Sequence, residues 1–266
     1  MLAFSHIVRS ALKNNRNFST NYNTKTKEAI AGRVWTKLQI QNKKDLLRLR
    51  VQDLTMDLLE DVLDFNMNYF VKEEIFHKIS GISEDPEAVK EYKEIISQVI
   101  MKPNYSTKVY IIDDYSNPNT GKIVAVSMMK IVSSHEDLNY NIQTKTEAVR
   151  RLLNIKSTCY KLFSIEDVKK MYNVDRYYED TGLAIHPEYR SLGIINFENT
   201  LRRVTCREDN IRLIGAWVTM LTAQKAYQNN NYNTAFDISY KKLVSILGIN
   251  FEGVPTMCKY MTLKLN

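Results

Sequence analysis

The stretch Gly182–Ile195, "GLAIHPEYRSLGII", decides how the rest of the 266-residue chain is read. Gly182 to Ile185 read as the end of a strand, Pro187 interrupts it, and "EYRSLG" carries the chain into "IINFENTLRRVTC", whose apolar spacing is helical. A strand that turns through such a loop into a helix presents backbone N–H groups with no intrahelical partner, at the positive end of the helix dipole. Several of them can converge on one phosphate. Glycine suits these loops because a ligand must approach the backbone closely and some residues need positive φ. The competing reading is an ordinary strand-to-helix turn in which "HPEYR" merely ends the strand.

Upstream, "RVWTKLQIQ" and "LRLRVQDL" alternate as strands do, and "MDLLEDVLDFNMNYF" spaces Leu58, Leu59, Val62, Leu63, Phe65, Met67 and Phe70 as a helix would. A second helix is expected from Pro86 to Met101, with proline at its start, where the missing amide costs nothing. "TKVYIIDD" and "GKIVAVSMMKIV", joined by "YSNPNTG", read as an antiparallel hairpin. Residues 133–175 are a polar excursion with helical periodicity in "TEAVRRLLNI" and "IEDVKKMY". Downstream come a strand "IRLIGAWVT", a helix "AQKAYQNNN" and a terminal strand "CKYMTLKL". This order predicts a single α/β (mixed α+β) domain, in which helices flank a central, twisted, mixed sheet.

Composition bounds the function. A 44% hydrophobic content with 16 Tyr and 9 Phe is enough for a substantial core, and no apolar run reaches the ~18 residues of a membrane span. Of the net charge of +7, five charges sit in residues 1–27, on Arg9, Lys13, Arg16, Lys25 and Lys27, with no acidic residue among them. The rest of the chain is nearly neutral, so no nucleic-acid partner is expected. Residues 1–22 are basic, rich in Ser, Thr and Asn, and place Leu2, Ile7, Val8, Ala11 and Leu12 against Arg9, Lys13 and Arg16 on a helix, as a mitochondrial transit peptide does. "RNFST", with Arg16 two residues before Phe18 and Ser19 after it, resembles a matrix-peptidase site. The matrix is the expected location; a disordered tail on a cytoplasmic protein is the alternative. Cys159, Cys206 and Cys258 are far apart and read as buried thiols, and His6, His77, His135 and His186 show no ligand spacing, so no metal site is expected.

"LAIHPEYRSLGII" followed by a helix resembles motif A of the GNAT superfamily of acyl-CoA-dependent N-acyltransferases, a strand, then Pro-x-Tyr-Arg, then R/Q-x-x-G-x-G/A. "YFVKEEIFHK" and "LTAQKAYQNNNY" are similar to segments of the insect arylalkylamine N-acetyltransferases, and with "VQDL" and "CKYMTLKL" the resemblance covers residues 34–266. It implies one GNAT-like domain with a mostly antiparallel sheet, splayed between the strand ending near His186 and the strand 211–219 to leave a cleft for acetyl-CoA. The residues implied for the cofactor are Leu183, Ala184 and Ile185 of the strand and Arg190, Ser191, Leu192, Gly193, Ile194 and Ile195 of the loop. Two of them depart from the pattern: Ile195 stands at the last G/A place and Ser191 where relatives commonly have glycine.

Acetyl transfer from a thioester to an amine asks chiefly for a base, because alkyl ammonium groups have pKa values near ~10. The family assigns that role to a glutamate whose counterpart here is Glu74, with Glu73 beside it and Ile75 at the usual proline place. Read without the family, adjacent acids after a helix are solvated surface. Relatives carry a serine at the place of Ala223; Thr222, taken as the second catalytic residue, and Thr219 are the hydroxyls nearby in sequence. Phe65, Tyr69, Phe70 and Phe76 are spaced as core and are also placed to line an aromatic amine pocket. The helix before Tyr232 ends at Asn231, which tolerates a left-handed cap best after glycine. The expectation is an acetyl-CoA-dependent N-acetyltransferase, a monomer, acting on a small arylalkylamine-like primary amine. The alternative, favoured by Ile195, Ser191 and Ala223, is a non-catalytic GNAT relative serving as a binding module.

Overall fold

The computed structural model describes residues 32–42, 45–117, 119–138, 142–249 and 256–265, and the segment read as a transit peptide or tail lies outside them. Eight strands among these residues form one sheet: β1 (Val34–Asn42), β2 (Asp45–Asp53), β3 (Tyr105–Ile112), β4 (Ile123–Val132), β5 (Tyr177–Ile185), β6 (Leu213–Val218), β7 (Asn233–Ser239) and β8 (Met257–Lys264), in the order β1-β2-β3-β4-β5-β6-β8-β7. Only β5 and β6 run parallel; the other neighbours are antiparallel.

The helices are α1 (Leu59–Asn66), α2 (Ile75–Ser80), α3 (Pro86–Ser97), α4 (Glu147–Leu162), α5 (Ile165–Tyr172), α6 (Ile194–Glu208), α7 (Leu221–Asn229) and α8 (Tyr240–Leu247). Five of them start on a side-chain cap, and α1, α6 and α7 do not: Asp85 accepts from the Glu87 and Ala88 amides before Pro86, and Ser164 and Asp167 form a capping box. A π turn, Met67–Val71, extends α1. Three elements were not anticipated from sequence, namely α2, β7 and α8, and α3 stops at Ser97 rather than Met101. The hairpin β3–β4, the helices α4 and α5 and the left-handed Asn231 (φ 66°) agree with the reading above.

The sheet is covered on both sides. On one face, Val132, Tyr177, Leu213 and Tyr260 pack with Tyr160 of α4 and with Ile165 and Val168 of α5. On the other, Met129, Tyr178, Ile214, Ala216, Met261 and Leu263 pack with Cys206 of α6 and Tyr227 of α7. Arg202 of α6, 1% exposed, crosses to the sheet, where it donates to Asp180 (2.5 Å and 3.1 Å) and Ser127 (3.0 Å), and to Glu198 on its own helix (3.0 Å). A buried guanidinium is tolerated because its donors are met by two carboxylates and a hydroxyl. No described helix is long and apolar enough to cross a membrane.

The feature that positions the site is the parting of β5 and β6. They pair only at Tyr178–Ile214 and Glu179–Gly215, after which β5 stays with β4 and β6 with β8. The expected splay is therefore present, between the strands named for it. At the point of divergence β5 bulges: Asp180 and Gly182 oppose Met129 and Met128, and Thr181 is the extra residue. Gly182 holds φ 150° with the Phe70 ring against its Cα, so that a Cβ there would meet Phe70 Cζ at 2.8 Å.

Candidate active site

A cleft of about 950 Å³ opens where β5 and β6 part. Leu183, Ala184, Ile185, Arg190, Ser191 and Ile195 line it from one strand and loop, Thr219, Thr222 and Ala223 from the other, and Glu74 and His77 from α2.

The loop after β5 is a 3₁₀ turn, Pro187–Tyr189, then Arg190 extended, Ser191 left-handed (φ 63°) and Gly193 left-handed (φ 80°) as the N-cap of α6. The Asn196 and Phe197 amides reach back to Gly193 O, and among the described residues nothing accepts from the amides of Leu192 to Ile195. Donors that a phosphate would use are thus present. The side chains of Leu192 and Ile194 turn into the core beside Leu47 and Tyr110 and leave only their backbone for a ligand. Ile195 packs, with Ala223, against the apolar cluster of Tyr178, Ala216 and Val218. Arg190 is engaged elsewhere: its Nε donates to Ile185 O (3.0 Å) and its Nη2 to Glu73 (2.9 Å).

Glu74 is 9% exposed, so the surface reading of the acidic pair holds for Glu73 and not for its neighbour. It caps α2, where its Oε2 accepts from the His77 amide (3.0 Å) and from His77 Nδ1 (2.5 Å), while Oε1 accepts from Thr219 Oγ1 (2.7 Å). Burial pushes its pKa up, but the His77 and Thr219 hydrogen bonds and the Lys156 charge together outweigh this and hold the carboxyl at about 2. Burial also holds His77 below its ordinary value, so it stays neutral, and because an ionised carboxylate can only accept, Nδ1 carries the proton. His77 Nε2 is left buried without a partner.

Thr222 lies on the cleft in the first turn of α7 and makes no hydrogen bond to Glu74; Thr219, just past the end of β6, is the hydroxyl that does. Of the aromatic residues, Tyr69 and Phe70 reach the cleft as partly buried side chains, while Phe65 and Phe76 are buried in core clusters, Phe76 also touching the cleft. Sequence reading missed His77, Lys130, Lys156 and Glu179, all on the cleft. The signal for two of them is charge inside an otherwise apolar strand, the single Lys130 in "SMMKIV" and Glu179 beside Asp180 in "YYED". No cluster of described residues can hold a metal ion, and the three cysteines are buried and unpaired.

The architecture as a whole is shared with solved structures. The chain has the GNAT acyltransferase fold. A protein named arylalkylamine N-acetyltransferase 7 from the yellow fever mosquito Aedes aegypti superposes with a TM-score of 0.73 at 23% identity, covering 88% of this chain and 96% of that one. The mosquito arylalkylamine N-acetyltransferase like 5b gives 0.65 at 15% identity, over 82% and 100%. The Drosophila melanogaster polyamine N-acetyltransferase, which forms N-acetylagmatine, gives 0.59 at 16% identity, over 82% and 100%. No protein-family model matches the sequence, and no curated protein matches it. The GNAT frame of this chain is therefore close in shape to the insect enzymes at an identity low enough for the site residues to differ.

Proposed function

We propose that the protein is an acetyl-CoA-dependent N-acetyltransferase acting on a small primary amine. One observation carries this reading: the strands part beside a helix start with free amides, and the cleft so formed also holds an ionised, buried carboxylate, Glu74. Acetyl-CoA fits the residues present, because the amides of Leu192 to Ile195 are donors without acceptors and the parted strand edges are donors and acceptors for an extended arm.

Glu74 sets the mechanism. A carboxyl held at about 2 is a weak acceptor for a proton on an ammonium of pKa near ~10, so the ammonium gives its first proton to solvent. Glu74 then orients the neutral amine and takes the second proton as the C–N bond forms, when the attacking nitrogen becomes strongly acidic. The C–S bond breaks and the thiolate leaves. Thr219 and His77 fix the carboxylate for this task, and Thr219 takes the part assigned from sequence to Thr222.

A second reading, a non-catalytic binding module, is favoured by Ala223, which puts a methyl group on the cleft where relatives carry a hydroxyl, and by Ile195 at the loop. Calorimetric titration of acetyl-CoA together with an assay of thiol release over a panel of amines tests both. Acetyl-CoA binding with turnover supports the enzyme; binding without turnover of any amine supports the module; failure of acetyl-CoA to bind at millimolar concentration removes the enzyme and leaves the module.

A further inference from the structure

Lys130 projects from the middle of β4 into the cleft, yet the residue is only 3% exposed and forms no ion pair among the described residues. A charge so placed is costly unless it is paired. Neither carboxylate whose charge reaches it forms an ion pair with it. Asp137 accepts instead from the Ser133 amide and hydroxyl and the Ser134 amide. Glu179 lies directly opposite Lys130 in the β4–β5 register, but its carboxyl accepts from the Tyr260 hydroxyl at 2.6 Å and from Tyr160 instead. Gly215, the Glu179 partner on β6, makes this possible, since a Cβ there would lie 2.1 Å from Tyr260 Oη. Burial raises the Glu179 carboxyl to about 7, which weakens it further as a counter-ion. The ring of Tyr105, 5.3 Å from Lys130 Nζ, is the aromatic face the ammonium meets.

Lys156 is a second cation on the same cleft. It donates to the Tyr92 hydroxyl at 3.3 Å and forms no ion pair among the described residues, and its charge is felt both by Glu74 and by Lys130. It is therefore within electrostatic reach of both the Glu74 carboxylate and Lys130. The other carboxylates of the cleft are engaged: Glu73 with Arg190, Glu94 with Lys145, Asp180 with Arg202, and Glu91 with the Lys145 and Thr146 amides. Lys102, also on the cleft and without an ion pair among the described residues, is exposed and solvated at its rim. What remains inside is one ionised base for an amine and two shielded cations, Lys130 and Lys156. A polyamine would put further positive charge against those lysines, and a bare arylalkylamine would leave them unmatched.

We propose that the amine substrate carries a carboxylate, with its nitrogen at Glu74 and its carboxylate on Lys130 and Lys156, so that the substrate class is an amino acid. This rests on the acetyltransferase reading for the placing of the nitrogen, while the anion site itself rests only on the two lysines.

The test uses the purified full chain with matched pairs of amines that differ in the carboxylate, butylamine against 4-aminobutyrate and tyramine against tyrosine. Each is assayed for acetyl transfer from acetyl-CoA and separately for binding by calorimetry. The carboxylated member of at least one pair should be preferred by about 10- to 100-fold in kcat/KM, the fold-change carried by one charge-assisted hydrogen bond. Lys130→Gln should bring that ratio close to one, and Lys130→Arg should keep part of it. Should Lys130→Gln fail to fold by circular dichroism, Lys156→Gln and Lys130→Arg carry the same comparison. If no amine is acetylated but 4-aminobutyrate binds and Lys130→Gln abolishes the binding, the acetyltransferase reading falls and the anion site stands. If amines are acetylated with no preference for the carboxylated member, or the preference survives both glutamine variants, the inference is overturned and the acetyltransferase reading stands. A lysine-dependent preference that appears only for a carboxylated acyl donor, succinyl-CoA in place of acetyl-CoA, also overturns it, as does failure of every probe to bind.

Discussion

Replacing Glu74 with glutamine separates the base from the fold, because the hydrogen bonds around it allow the swap. The Oε2 atom serves the two His77 donors and Oε1 serves Thr219. A glutamine has the same length and keeps one oxygen; turned to His77, it accepts from both donors, and its NH₂ then faces a Thr219 hydroxyl that reverses from donor to acceptor. All three bonds survive as neutral ones, and each drops from about 1.5–3 to about 0.5–1.5 kcal/mol, so the variant loses roughly 3–4.5 kcal/mol. That is within the stability of an ordinary domain, about 5–15 kcal/mol, and Glu74→Gln is expected to fold and to bind acetyl-CoA. The rate should fall by about 10² to 10⁴, the usual share of a general base. Thermal unfolding, calorimetry with acetyl-CoA and thiol release with the best amine decide it. A folded variant that binds acetyl-CoA and keeps more than about one tenth of kcat/KM would refute the role given to Glu74.

Gly215→Ala should cost about 1–3 kcal/mol or more by overpacking, since the new methyl group meets Tyr260 Oη and Tyr177 and breaks the bond to Glu179; an unchanged urea midpoint would show that the tyrosine cluster is loose. Gly193→Ala meets no atom within 4 Å but must hold φ 80°, so a stability loss of about 1–2 kcal/mol is expected; a loss of acetyl-CoA affinity well beyond that marks ligand in the open space, and retained affinity argues against contact there. Glu179 gives a pH signature. Its carboxyl titrates at about 7 folded against an ordinary 4.5, so between these values the folded state holds the proton more tightly, and stability falls by about 3 kcal/mol as pH rises from 4.5 to 7. Glu179→Gln should remove that decline in urea melts at pH 5 and pH 7.5. Glu74 acts in the opposite sense, its contribution being lost as pH falls from 4.5 toward about 2, outside that interval.

The strand, loop and helix around Gly193 were legible because the apolar period changes from two to 3.6 across a few residues, and the β3–β4 hairpin because its two runs flank a turn-rich loop. The missed elements lack that signal. Helix α2 has six residues, too few to show a period, and is marked only by Glu74 at one end and left-handed Gly81 at the other. Strand β7 lies at the sheet edge with one side chain in seven fully buried, so its apolar pattern is faint. Helix α8 did carry marks, the Ser239 cap and Gly248, that the reading passed over. The resemblance directed attention to Glu74, but nothing local in the sequence showed it as a buried carboxylate in a cage of hydrogen bonds. His77 at i+3 is a local relation that a helix start would have exposed, whereas Thr219 is 145 positions away and meets Glu74 only through the sheet. Lys130 and Glu179 likewise face each other only once the β4–β5 register, with its bulge, is known.

The loop departs from the motif A pattern in side chains and keeps it in backbone. Ser191 adopts the left-handed conformation that a glycine would take more cheaply, at a cost of about 1–2 kcal/mol, and the chain has kept the geometry rather than relaxed it. Ile195 packs in part on the apolar cluster of β6 and also lines the cleft, so its bulk is only partly absorbed by packing. Arg190, the residue a motif would offer to phosphate, is tied to Glu73, the neighbour of the buried Glu74 carboxylate. Both partners are more than a third exposed, and such a pair is worth about 0–1 kcal/mol, too little to lock the arginine against an incoming phosphate. An anion at the loop therefore competes for Arg190 at small cost, and releasing Glu73 would loosen the segment that carries Glu74. On the proposed reading, that exposed ion pair is the direct contact between the loop and the segment of Glu74, whose carboxylate is held separately by His77 and Thr219.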